Sequence, residues 1–194
     1  MGFLPVTWDD VHLMSLRIAK RVIEEGYKPD AIVGVLRGGF IVARIVADAL
    51  DIEDLGVVEV KFYKRIAEHA ERPIITQPLT LDVRDKKVLI VDDVVDSGRT
   101  LEVVTEQVRL RGASTVKSAA LFTKPKSIIH PDFYITMTTD WIIFPWELGE
   151  FLKETNNLGD VSEVGRKLRE IGLNFRDELL SELIDILKRS SEDS

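Results

Sequence analysis

Two periods of apolar residues alternate along the chain. Val11, Met14, Ile18 and Val22 fall at helical spacing behind the polar start Thr7–Asp10, and Gly26 offers a stop, so the spacing predicts a first helix. The unbroken run "AIVGVL" (Ala31–Leu36) is short and rich in β-branched residues. After Gly38 and Gly39 come "FIVARIVADAL" and the strand-like "VVEVKFY" (Val57–Tyr63), giving strand, helix, strand. "KVLIV" (Lys87–Val91), a helix from about Thr100 to Arg111 carrying Leu101, Val104 and Val108, and "TVKSAALF" repeat the pattern. Strands this apolar are buried on both faces, which predicts an α/β fold with a mostly parallel sheet flanked by helices.

Between these units, Lys64–Asp85 is charged at its start and interrupted by Pro73 and Pro78, as expected of a mobile excursion. "DFYITMTTDWIIFPWE" predicts one or two short strands with dense aromatics. From about Glu150 the character changes. Asp160 and Glu163 make a capping-box pattern before Val164, Leu168 and Ile171, and Asn174 is the expected cap of a last helix with Phe175, Leu179, Leu183 and Leu187. The expected organisation is a domain over 1–149 followed by a helical extension over 150–194.

Composition narrows the function. The chain has 194 residues, no Cys, three His and a formal net charge of −7. Disulfides, thiolate metal sites and Cys nucleophiles are excluded, and His12, His69 and His130 are scattered. The acidic balance disfavours a nucleic-acid surface, and no apolar run reaches the roughly 20 residues of a membrane helix. A cytoplasmic location is the expectation.

The densest chemistry lies in "VLIVDDVVDSGRT" (Val88–Thr100). Ligands of open α/β sheets bind beyond the carboxyl ends of the strands, where Asp92 and Asp93 stand. Two adjacent carboxylates repel, which is tolerable where they accept from hydroxyls or face a cation. Asp96, Ser97, Gly98, Arg99 and Thr100 then lead into a helix N-terminus, whose free N–H groups favour an anion. Diol-binding acids beside a phosphate cradle describe a ribose 5-phosphate site; a capped turn with solvated acids is the plain alternative.

All thirteen positions of this run resemble the phosphoribosyl pyrophosphate signature of type I phosphoribosyltransferases. The resemblance implies that fold, with Asp92 and Asp93 on the ribose hydroxyls, residues 96–100 on the 5-phosphate, and Asp96 as the general base near N7 of the incoming base. "GVLRGGF" resembles the family's pyrophosphate loop, with Arg37, Gly38 and Gly39 on the leaving group and a cis peptide expected after the Arg. "LFTKPKS" and "TTDWIIFPWE" resemble the base-binding hood of 6-oxopurine enzymes, of the xanthine-guanine type and the short archaeal purine type. By that resemblance Lys124 reads O6, Trp141 stacks on the ring, and Ile142 and Ile143 offer carbonyls. Bacterial xanthine-guanine enzymes carry an acid that helps read the 2-substituent where this chain has Ile143, so their guanine-versus-hypoxanthine discrimination is not carried over. "KFYKR" (Lys61–Arg65) opens the loop that closes over the reacting centre in the family, without the Ser-Tyr pair often found there.

The activity so implied is transfer of the 5-phosphoribosyl group from phosphoribosyl pyrophosphate to N9 of hypoxanthine, guanine or xanthine, with Mg²⁺ held by substrate oxygens and by Asp92 or Asp93. Phosphoribosyl pyrophosphate and a purine base are the expected partners, with no nucleic acid or membrane, in a homodimer or higher homo-oligomer. The rival is a non-catalytic regulator that keeps the fold to sense nucleotide, and an adenine or orotate enzyme is the nearer alternative. The resemblance spans Val6–Gly149 and leaves the last 45 residues outside it.

Overall fold

The computed structural model describes residues 2–63 and 72–192. In chain order the elements are β1 (Phe3–Pro5), α1 (Trp8–Glu24), β2 (Ala31–Leu36), α2 (Gly38–Leu50), β3 (Leu55–Tyr63), β4 (Arg72–Gln77) and β5 (Lys87–Val95). They continue with α3 (Arg99–Leu110), β6 (Thr115–Thr123), β7 (Phe133–Met137), β8 (Trp141–Ile143), α4 (Leu148–Glu154), α5 (Val161–Glu170) and α6 (Asp177–Glu192). Two compact units form, one over Val11–Thr138 and one from the residues up to Asp10 together with Thr139 onward.

The first unit is built on a six-stranded sheet in the order β4-β3-β2-β5-β6-β7. All its pairings are parallel except β3 with β4. This is the expected α/β class. On β2, Val33 and Val35 pack with Val104 and Val108 of α3, whereas an atom added to Gly34 meets Ala43 and Phe40 of α2. Successive residues of a strand face opposite sides, so α2 and α3 cover opposite faces. The core beneath α3 gathers Val33, Val58, Val88, Ile90, Leu101, Val104 and Val108.

The sheet's carboxyl edge is notched. Leu36, the last residue of β2, is level with Glu59 of β3, and Gly34 is level with Val91 of β5. Both neighbours run on, β3 to Tyr63 and β5 to Val95. Two strand spacings separate them, about 10 Å. The chain re-enters the notch floor through Arg37 and the start of α2.

Several expectations shift. β5 continues four residues beyond the predicted Val91, carrying both aspartates inside the strand, because β6 pairs with it through Asp92, Val94 and Val95. Part of the predicted excursion is regular: Arg72–Gln77 forms β4, an edge strand where Pro73, lacking an N–H, is tolerated. The residues 64–71 of that excursion, including Lys64 and Arg65, lie outside the described residues. The cis peptide is Leu36–Arg37, before Arg37 rather than after it.

In the second unit β1 pairs in parallel with β8, register Phe3↔Trp141 to Pro5↔Ile143. α4, α5 and α6 pack around Leu152, Val164, Leu168, Leu180 and Ile184. Asp160 caps α5 as expected, accepting from the N–H groups of Ser162 and Glu163. α6 opens at Asp177, two residues later than a cap at Asn174 would start it.

Candidate active site

The predicted phosphate and ribose residues come together at the notched edge of the first unit. A cavity of about 350 Å³ is lined by Phe62, Asp92, Val94, Val95 and the run Asp96–Leu101. A larger one, of about 770 Å³, lies beside α3 and β6 and holds none of the predicted site residues.

Asp92 and Asp93 are each only 8% exposed. Their carboxylates turn back on the chain: the Asp93 N–H donates to Asp92 Oδ1 (3.0 Å) and the Val94 N–H to Asp93 Oδ1 (2.9 Å). Those bonds let acids stay in a strand that sequence alone ends before them. Burial pushes the Asp92 carboxyl well above the usual carboxylate range, and the charge of Asp93 adds to the effect. Burial raises Asp93 as well, against the hydrogen bonds it accepts. Two stacked carboxyls lifted in this way are stabilised by a cation or by hydroxyl donors.

The turn after β5 supplies the cradle. Gly98 has φ 82, in the left-handed region, and caps α3, with its carbonyl accepting from the Glu102 N–H (2.9 Å). A Cβ there would stand 2.7 Å from Ser127 Oγ and 2.8 Å from the Ile129 nitrogen, so strain and space both require glycine. Ser97, Arg99 and Thr100 flank it at the start of α3, where the Arg99 N–H donates to Ser97 Oγ (3.4 Å). Asp96 is half-exposed and pairs with Lys126 (2.9 Å).

The connection from β6 to β7 is stitched to this turn. The Lys124 N–H donates to the Val95 carbonyl (2.9 Å) and the Ile128 N–H to the Ser97 carbonyl (3.0 Å). Lys124, whose sequence position left a solvated side chain open, is buried at 9% exposure. Arg37 lies exposed between β2 and α2, and its charge is a minor contributor to holding the Glu59 carboxyl low, behind the hydrogen bond from Thr76 and the influence of Lys61. Gly39 is buried against β5, where an added Cβ would stand 2.7 Å from Asp92 Oδ1 and 2.8 Å from Asp92 Cα. Sequence assigned Gly38 and Gly39 to bare backbone N–H groups; the structure adds a packing reason for Gly39.

Trp141, Ile142 and Ile143 form β8 of the second unit. Trp141 is 45% exposed, and its N–H donates to the Gly2 carbonyl (2.9 Å). Ile142 and Ile143 bury their side chains, and the Ile143 carbonyl accepts from the Val6 N–H (3.0 Å). Phe62 and Lys126 were not singled out in the sequence. The signal for Phe62 was its place two residues beyond Val60 in an alternating strand.

The residues fit a magnesium ion of the kind that binds through one or two carboxylates and substrate phosphates. Among the described residues no group of three or more His, Asp or Glu side chains converges into a self-sufficient metal cage. The carboxylates lining the cavity are Asp92 and Asp96, with Asp93 buried beside Asp92. No helix among the described residues is long and apolar enough to cross a membrane.

Residues 12–150 match the family model described as the phosphoribosyl transferase domain. The xanthine-guanine phosphoribosyltransferase of Cereibacter sphaeroides is 35% identical over 150 residues, covering 74% of this chain and 86% of that one. Its counterpart in a Ruegeria species is 34% identical over 155 residues, covering 74% and 84%. Among solved structures, a purine phosphoribosyltransferase from Pyrococcus horikoshii is similar with a TM-score of 0.68 and 46% identity, over 75% of this chain and 94% of that one.

Proposed function

The chain belongs to the phosphoribosyl transferase domain family, and from that premise we propose that it transfers the 5-phosphoribosyl group of phosphoribosyl pyrophosphate to N9 of a 6-oxopurine. The products are the purine nucleoside 5′-monophosphate and pyrophosphate. The observation that supports this most is the thirteen-residue run itself, because Asp92, Asp96 and the glycine turn of one strand-to-helix junction line one cavity. Its volume, about 350 Å³, lies in the range of small-ligand sites.

In this reading Asp92 and Asp93 accept from the ribose hydroxyls, and the turn Asp96–Thr100 holds the 5-phosphate with N–H groups and hydroxyls. Magnesium, once bound with the substrate, neutralises charge on the departing pyrophosphate. Arg37 and the backbone of Gly38 and Gly39 orient that leaving group from the notch floor. Asp96 takes the proton released by the base. Lys124 donates to the 6-oxygen, while Trp141 stacks on the ring with Ile142 and Ile143 beside it, as the resemblance to 6-oxopurine enzymes implies. The domain over 1–149 with its helical extension, the cytoplasmic location and a homo-oligomeric state belong to the same proposal.

The test is nucleotide formation from phosphoribosyl pyrophosphate and Mg²⁺ with each of hypoxanthine, guanine, xanthine and adenine. Asp96→Asn is expected to lower the rate by on the order of 10²–10⁴ without loss of phosphoribosyl pyrophosphate binding. Binding with no turnover of any base overturns the enzyme in favour of a nucleotide sensor.

A further inference from the structure

Phe62 is a large apolar side chain, 38% exposed, standing at the rim of a charged cavity. Its row explains how it gets there. On β3, Val58 is buried in the core beneath α3 and Val60 packs against that core. Phe62, two residues further on, continues the same face. Because β2 stops at Leu36, level with Glu59, Phe62 lies three residues beyond it with no neighbouring strand on that side among the described residues. On the opposite bank of the notch Val88, Ile90 and Val95 of β5 belong to the same core, and Asp92, Val94 and Val95 line the cavity. The phenyl ring and the buried carboxylate of Asp92 thus look into one cavity across the width of a single missing strand.

An exposed aromatic costs hydrophobic free energy that a bound ligand recovers by covering it. The lining also holds Val94, Val95 and Leu101, of which Val95 and Leu101 are only 2% exposed, and beside them carboxylates, hydroxyls and N–H groups suited to the oxygens of a sugar phosphate. Phe62 is the large aromatic surface among them. A ribose has an oxygen-rich edge and C–H faces, and the aspartates bind the edge. The aromatic wall suits a C–H face.

Resting on the function proposed above, we infer that Phe62 is a positioning residue that packs on the ribose and keeps water from its C1. Two reactions compete at that carbon. In transfer the bond from C1 to the pyrophosphate oxygen breaks, the purine N9 forms the new bond, and the purine loses a proton. In hydrolysis the same bond breaks, a water oxygen bonds to C1, a proton goes to solvent, and ribose 5-phosphate replaces the nucleotide. Phe62 acts on the partition between them.

The experiment measures pyrophosphate and nucleotide released in the same reaction, for the wild type, Phe62→Ala and Phe62→Leu, with the preferred base saturating and then absent. Phe62→Ala is expected to raise the hydrolysed share of phosphoribosyl pyrophosphate about ten-fold, the scale of removing a modest barrier of 1.4 kcal/mol against water. Phe62→Leu, which restores an apolar wall, is expected to return most of the partition. A side chain that merely supports the fold would lower both products together, so an unchanged ratio of pyrophosphate to nucleotide in Phe62→Ala overturns the inference. So does a Phe62→Leu variant as hydrolytic as the alanine. A wild type that makes no nucleotide from any purine removes the premise instead, and that result is distinct from either.

Discussion

Replacing Gly39 with alanine sets two effects of known size against each other. Gly39 lies in the first turn of α2, and in a helix alanine is favoured over glycine by about 1 kcal/mol. Propensity alone makes the substitution stabilising. Space opposes it: the new methyl carbon would stand 2.7 Å from Asp92 Oδ1, 2.8 Å from Asp92 Cα and 2.9 Å from the Val91 carbonyl oxygen. Two of those three atoms are backbone of β5, which is held by ladders to β2 and β6 and cannot give. Carbon contacts prefer about 3.5–4.0 Å, and overpacking of this kind costs about 1–3 kcal/mol. Sterics therefore win or at least cancel the gain, and α2 relieves the clash by backing away from β5. For a chain of this size a net loss of 1–2 kcal/mol lowers Tm by about 2–8 °C. The displacement also carries Arg37 and Gly38 away from Asp92, and a shift near 1 Å in a reacting site costs on the order of 10²-fold in rate. Calorimetry of the ligand-free protein and steady-state kinetics in varied phosphoribosyl pyrophosphate measure both. Gly159→Ala serves as control, since nothing lies within 4 Å of its added carbon. A Gly39→Ala protein with a raised Tm and unaltered kcat/KM would refute the packing account.

Asp92→Asn removes a buried charge, so the variant is expected to be inactive yet more stable at pH 7 by about 1–3 kcal/mol. Because burial raises Asp92 above its ordinary 3.8, the folded state holds a proton the unfolded state has released, and stability falls as pH rises through that window. The gain in Tm should accordingly shrink toward pH 4, and a lower Tm at pH 7 would contradict it. Tyr27 donates to the Val88 carbonyl (2.9 Å), and burial pushes its phenol up to about 12. Tyr27→Phe is expected to lose about 1 kcal/mol at neutral pH. The wild type alone loses a further increment as pH climbs from 10 to about 12, and an absorbance titration of the phenols follows the same group. Asp160→Ala deletes the cap of α5, with a loss of about 1 kcal/mol in urea unfolding.

The sheet was legible because its strands are buried on both faces and read as unbroken apolar runs, and α1 and α3 because their stripes keep a clean helical period. What escaped has local causes. β1 is three residues ending in proline and has no pattern of its own; pairing with β8 makes it a strand. β4 hides behind Pro73, which is acceptable in an edge strand and argues against a central one. Asp92 and Asp93 mark a strand end in any propensity scale, yet the ladder to β6 carries the strand through them. Asn174 is a good cap residue, but α6 takes its first turn from Asp177. The chemistry of the phosphate turn was readable because glycine and hydroxyl spacing dictates it. Phe62 was not, since its meaning depends on β2 ending early, a fact of register rather than of residue type.

The stitching of the β6 to β7 connection onto the phosphate turn bears on how such a chain changes over generations. Lys124 bonds to Val95, Ile128 to Ser97, Lys126 to Asp96, and Ser127 leaves room only for a glycine at 98. A change in either segment bears on the other, so the two are expected to vary as one cassette. A graft of residues 124–129 from a relative with a different appetite would need residues 96–100 from the same donor. β8, with Trp141, belongs to the other compact unit, where it pairs with β1 and Ile143 enters the core.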